Sequence, residues 1–230
     1  MYEIIASGGL VGLVIFFLSL SAVALVVKYC LDLRREKIAP SDLAMQLGTL
    51  LSEGKISAAE DLCRENPCPL SFVTALGLQD NDGDWSEIEK TLEDAVGEQS
   101  SKLFRKVEYL AVIGNIAPML GLLGTVLGMI TAFQQIAISQ GGAQGPELAR
   151  GIYQALVTTV EGLVVAIPSI AAFAFFRSRV DQLMMELSYT TLQIFLPLKR
   201  HRRRMALQAK MRETGVRTPP PVSSLGENGR

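Results

Sequence analysis

The chain has 230 residues, 49% of them hydrophobic, and its 22 basic and 23 acidic residues leave a formal charge of −1. That balance gives no overall attraction to polyanions and argues against a nucleic-acid role. Three cysteines (Cys30, Cys63, Cys68) form no C-x-x-C pair and the single histidine, His201, lies in a basic run, which disfavours a disulfide framework or a metal centre and fits a reducing compartment. The sequence carries no phosphate loop, no G-x-S-x-G and no evident nucleophile–base pair, so it points away from an enzyme and implies no cofactor.

The apolar residues fall in three blocks, which predicts an all-α integral membrane protein. The first block, Ile4–Val27, is free of charge. It lacks a basic leader, and Lys28, Arg34, Arg35 and Lys37 follow it, a stop-transfer pattern that reads as a retained anchor. The second, Tyr109–Ser139, is preceded by Lys102, Arg105 and Lys106; the third, Gly151–Phe176, is followed by Arg177 and Arg179. Every dense basic flank therefore falls on one side. The positive-inside rule places the N-terminus outside and the C-terminus inside. The expected division is a first span within 1–29, an inner helical segment 30–106, a second span 107–139, a short outer loop 140–150 and a third span 151–177. A helical extension 178–214 and a disordered, Pro-rich tail 215–230 follow.

Within the inner segment, Ser41 and Asp42 read as caps of a helix reaching about Leu51, with Gly54 as its stop. Ser57–Asn66 and Leu70–Gln79 follow as further helices, separated by Pro67 and Pro69. Asp80–Asp84 reads as a solvated turn rather than a calcium loop, because position 12 counted from Asp80 is Thr91 where a glutamate is needed. Trp85–Lys106 is expected to run as helix into the second span. Beyond the third span, Val180, Leu183, Met184, Leu187 and Ile194 keep a helical pattern that Pro197 is expected to interrupt.

The two later spans each carry a stripe of small residues. Gly114, Pro118, Gly121, Thr125, Gly128 and Ala132 recur at spacings of three and four, as do Ala155, Thr159, Gly162, Ala166 and Ser169. Such stripes suit close helix packing or a narrow path. Thr125 lies about 24 Å along its helix from Tyr109, and Thr159 about 27 Å from Arg177, so the two hydroxyls are expected at similar depth. Two readings stay open: the hydroxyls pass hydrogen bonds to water in a pore, or each bonds its own helix at i−4. Glu161 is the one acid inside a span and no Lys or Arg lies in a span to neutralise it. It is expected to be neutral, paired or wet. It serves either as a proton- or cation-handling group or as a carboxyl bonded to Ser19, Ser21 or Thr158.

The segments Ala117-Pro118-Met119-Leu120-Gly121-Leu122-Leu123-Gly124-Thr125-Val126-Leu127-Gly128-Met129 and Gln154-Ala155-Leu156-Val157-Thr158-Thr159-Val160-Glu161-Gly162-Leu163, with Ala166-Ile167-Pro168, carry a resemblance. So do the lead-ins Leu92–Ala95 and Glu108–Ala111. The chain resembles the MotA/TolQ/ExbB proton-channel family, most closely its ExbB and TolQ branches, from Met1 to about Leu196. The resemblance implies a homopentameric ring in the bacterial inner membrane whose second and third spans surround a pore. It implies an ExbD/TolR-like single-pass partner supplying an essential membrane aspartate, and in some systems a TonB/TolA-like transducer. Ion flow is then coupled to envelope transport or maintenance. Thr125 and Thr159 match the family's pore-lining threonines, and Gly114, Pro118, Gly121, Gly128, Ala155, Gly162, Ala166 and Ser169 become the packing around that pore. The family often has Glu where this chain has Gln154, and an apolar or small residue where it has Glu161.

A sodium-driven stator of the MotA kind is disfavoured by three spans and a short inner segment. A non-conducting scaffold is the alternative from another class. Lys199-Arg200-His201-Arg202-Arg203-Arg204 reads either as a lipid- or partner-binding cluster or as a solvated, topology-fixing run.

Overall fold

The computed structural model describes residues 9–79, 85–138 and 145–213, and every regular element among them is an α-helix. In chain order these are α1 (Gly9–Asp32), α2 (Arg35–Ile38), α3 (Ser41–Ser52), α4 (Ile56–Glu65), α5 (Pro69–Gln79), α6 (Trp85–Ile138) and α7 (Gly145–Glu213). The outer tail 1–8, the Asp80–Asp84 turn, residues 139–144 of the outer connection, the tail 214–230 and the side chains of 201–213 lie outside the described residues.

Three helices are long and apolar enough to cross a membrane: α1 and the apolar parts of α6 and α7. α6 has 54 residues and α7 has 69, or about 81 and 104 Å at 1.5 Å per residue. Both outrun a bilayer, their charged ends extending past the apolar stretches, and they pair antiparallel along much of their length. α7 begins at Gly145, ahead of the apolar block at 151, because helix ends and span ends are set by different forces. Pro118 and Pro168 sit inside the helices without ending them.

α1 buries Gly12, Ile15, Ala22 and Tyr29. The seven-residue steps from Ile15 to Tyr29 form a coiled-coil seam against α6 and α7. Its free faces are Leu, Val and Phe, as lipid contact demands. At the inner end the Tyr29 hydroxyl donates to the backbone carbonyl of Lys106, and its ring meets Phe176 edge-on with centroids 5.8 Å apart. One side chain thus ties α1, α6 and α7 at a single level.

The inner segment folds against the extensions of α6 and α7. α3 packs on α7 through Leu43, Leu47 and Leu51, spaced four apart on one face. α5 lies against both long helices: a Cβ added at Gly77 would meet Leu92 at 2.5 Å and Phe195 at 2.9 Å. Val180, Leu183, Met184, Leu187 and Ile194 are all buried, as their spacing predicts. Gly54 stops α3's turn with a φ of 74°, a left-handed conformation suited to glycine.

Two local expectations fail. Ser41 does not cap α3: Pro40 is the N-cap and makes no side-chain bond, so Ser41 and Asp42 are already helical. Pro197 does not end α7, which continues to Glu213. A proline withdraws one donor from the carbonyl four residues earlier. That carbonyl belongs to Gln193, which is exposed, so water can replace the lost bond.

Cys63 is buried in α4, and burial first, then neighbouring Cys68 and Glu60, pushes its thiol up to about 11. At pH 8 roughly one thiol in a thousand is then ionised. Maleimide treatment of the native chain at pH 8 is expected to leave Cys63 unmodified, and treatment after unfolding in dodecyl sulfate to modify it. Peptide mass spectrometry reads both.

Candidate functional site at the seam of the two long helices

Helices can approach until side chains stop them, and the α6–α7 seam has almost none. A Cβ added at Gly162 would lie 2.6 Å from the Ala117 carbonyl oxygen; at Gly121, 3.0 Å from the Thr159 Cα; at Gly128, 2.9 Å from the Ala155 Cβ; at Gly151, 2.8 Å from the Ala132 Cβ. Gly114 lies equally tightly under Ile170. Backbone therefore touches backbone through the middle of the pair, the arrangement small residues permit in lipid.

The stripes seen in the sequence are thus real, but within one chain they face each other. Gly114, Gly121, Ala155, Gly162, Ala166 and Ser169 are buried, and Gly128 is half-buried against Ala155. The centre of the α6 stripe differs from expectation by one residue: Ala117 and Gly124 are buried in the seam, whereas Pro118 and Thr125 stand half-buried at its edge. Each step along a helix turns the side chain by about 100°, so neighbouring positions share a stripe's rim but not its centre.

The threonines behave differently from one another. The Thr125 hydroxyl donates to its own helix at Leu122 O, 2.6 Å away, three residues back rather than four. Thr159 donates across the seam to Gly121 O at 3.3 Å. The carbonyls that accept these two bonds are consecutive on α6, about 1.5 Å apart along its axis. Thr158, not singled out as a pore residue, fits directly beneath Gly124 and donates to Ala155 O at 2.8 Å and more weakly to Gly121 O at 3.5 Å. Together Thr158 and Thr159 supply the polar glue of the seam.

Gln154 and Glu161 are seven residues apart, two turns down one face of α7. Gln154 Nε2 would lie 3.4 Å from a Cβ built on Gly9, which puts this face toward α1. Glu161 Oε2 is buried and has no hydrogen-bond partner among the described residues. The expected bond to Ser19, Ser21 or Thr158 is absent: Ser21 donates to Phe17 O, and Thr158 is engaged in the seam. Asn115, overlooked above although it is the one amide in the apolar run 110–133, is exposed on the outside of the pair.

The basic cluster lies well past the apolar stretch of α7. Lys199 follows Arg177 by 22 residues on one helix, about 33 Å further along. Its ammonium stands 4.6 Å from the centroid of the Trp85 ring, at the start of α6.

Residues 66–188 match the MotA/TolQ/ExbB proton channel family. The chain is 38% identical over 109 residues to the biopolymer transport protein exbB1 of Vibrio cholerae, a match covering 45% of this chain and 48% of that one. It is 31% identical over 105 residues to the Tol-Pal system protein TolQ of Pseudomonas aeruginosa, covering 46% and 45%. An ExbB-like protein of Synechocystis is 30% identical over 175 residues, covering 75% of this chain and 82% of that protein. The chain belongs to the MotA/TolQ/ExbB proton channel family. Within it the chain is similar to ExbB and TolQ proteins, and it spans about half the length of the exbB1 and TolQ relatives.

Proposed function

We propose that this chain is the pore-forming subunit of a proton-driven motor in the bacterial inner membrane, with its N-terminus outside and its C-terminus inside. Five copies surround a pore built from the apolar parts of α6 and α7. Thr125 and Thr159 lie on the ion path, with Glu161 and Gln154 beside it. An ExbD/TolR-like single-pass protein supplies the membrane aspartate that this chain lacks, and a TonB/TolA-like protein carries the work outward.

The observation that carries this reading is a set of polar groups inside the spans that one chain leaves unsatisfied. Glu161 Oε2 is buried without a partner, and Asn115 is exposed within the apolar run. An unpaired amide or carboxyl in hydrocarbon costs several kcal/mol. Further subunits, or water between them, remove that cost. The wide apolar outer faces of α6 and α7 offer the contact area for such subunits.

Native mass spectrometry of the complex, gently extracted from its own membrane, tests the reading. Five copies of this chain with fewer copies of a smaller, single-span subunit carrying a membrane aspartate are expected. A monomer or dimer that stays alone across mild detergents would overturn it.

A further inference from the structure

The cytoplasmic helices leave two adjoining grooves along α3, away from Leu47 and Leu51. One, between α3 and α4, has a volume of about 580 Å³ and an apolar floor that includes Leu50 and Leu62. Met45 lines it and is 73% exposed. The second, of about 540 Å³, continues past Gln46 and Glu65, which line both. Glu36, Asp42 and Glu65 line this second groove, all are exposed, and none forms an ion pair among the described residues. Its one cation, Lys37, is already bound to Asp32 at 3.0 Å. The first groove adds Glu53 and Asp61, each sharing a cation from its own helix end, Lys55 and Arg64.

The grooves are too large for an ion and carry the wrong sign for lipid phosphates or nucleic acid. They suit a cationic, partly apolar peptide segment, and their depth selects which one. Arg35, beside Glu36, pairs with Glu186 of α7 at 2.5 Å. Glu186 lies nine residues past Arg177, so the nearer groove opens about 14 Å below the inner edge of the span. An extended chain leaving the bilayer covers that distance in about four residues. Membrane proteins, single-pass ones included, concentrate Lys and Arg in this same short inner flank. The chain's own basic cluster begins at Lys199, about 20 Å further in than Glu186, and Lys199 stacks on Trp85.

We propose that these grooves dock the basic inner flank of a single-pass membrane partner, with its cations on Glu36, Asp42 and Glu65 and an apolar side chain over Met45. This deepens the motor reading by giving its partner a cytoplasmic foothold, but requires only that the chain spans the membrane.

The test places the full chain in phosphatidylcholine vesicles with a synthetic probe. The probe is a leucine–alanine transmembrane peptide whose inner flank is Lys-Arg-Leu-Lys-Arg, followed by a benzophenone group. Photo-cross-links are mapped by mass spectrometry. They are expected on Met45 and its neighbours in α3 and α4. The combined Glu36→Gln, Asp42→Asn, Glu65→Gln variant should lower them by about tenfold, as should a probe with a glutamate flank. Circular dichroism confirms that the variant is folded.

Equal yields from both probes, or from variant and wild type, would overturn the proposal. So would equal labelling by the basic flank without its span, or cross-links from the grooves to residues 199–212 of a second copy. Copy number is measured on the same vesicles. Lost docking with five copies intact removes this inference alone; docking on a chain that stays monomeric removes the motor reading alone.

Discussion

Gly162→Ala is expected to destabilise the folded chain by about 1–3 kcal/mol, the usual range for overpacking a tight interior. The added methyl would meet the Ala117 carbonyl oxygen at 2.6 Å and the Gly121 Cα at 3.3 Å. Both are backbone, so no side chain can swing aside, and the helices must separate along the whole seam. Separation also lengthens the bond from Thr159 to Gly121 O, already 3.3 Å. Gly97→Ala provides the contrast. Nothing lies within 4 Å of a Cβ there, so the same change in the same pair of helices should stabilise by about 0.5–1 kcal/mol through helix propensity. Thermal unfolding of both variants in one detergent checks the pair; equal shifts would mean that α6 and α7 are not held by backbone contact.

The second large effect concerns ion flow. Thr159→Val keeps the shape and removes the hydroxyl. Proton uptake by vesicles holding the complex with its native partner is expected to fall by roughly tenfold or more if the hydroxyl lies on the path. The loss of one hydrogen bond should cost stability only about 0.5–1.5 kcal/mol, leaving assembly intact. Thr125→Val is expected to act in the same direction with less effect on stability, because its bond to Leu122 O stays within one helix. Unchanged uptake in both variants, with the pentamer present, would favour the scaffold reading.

Much of this fold was legible because its determinants are periodic. Charge-free blocks bounded by basic residues located the three helices long and apolar enough to cross a membrane, and the three–four spacing located the seam. Val180 to Ile194 marked the buried face of the extension. What escaped depended on single positions. Ser41 looked like a cap, but Pro40 already holds the entry to α3. Pro197 looked like a stop, but it lies where a hydrated carbonyl tolerates it. The seam's centre ran through Ala117 and Gly124 because burial follows the partner helix, which no single helix's spacing contains. The carboxyl of Glu161 was visible as an anomaly, but its lack of a partner required coordinates.

The unbroken course of α7 has a mechanical meaning. From Arg177 to Glu213 it continues as helix for about 54 Å, through Pro197. A tilt of about 5° within the bilayer would sweep its far end through about 5 Å, nearly the pitch of one helical turn. Tyr29, joined to the Lys106 carbonyl and to Phe176, lies close to the fulcrum. A helix of that length turns a small rotation among packed glycines into a larger displacement at its far end, and force applied there returns to the seam.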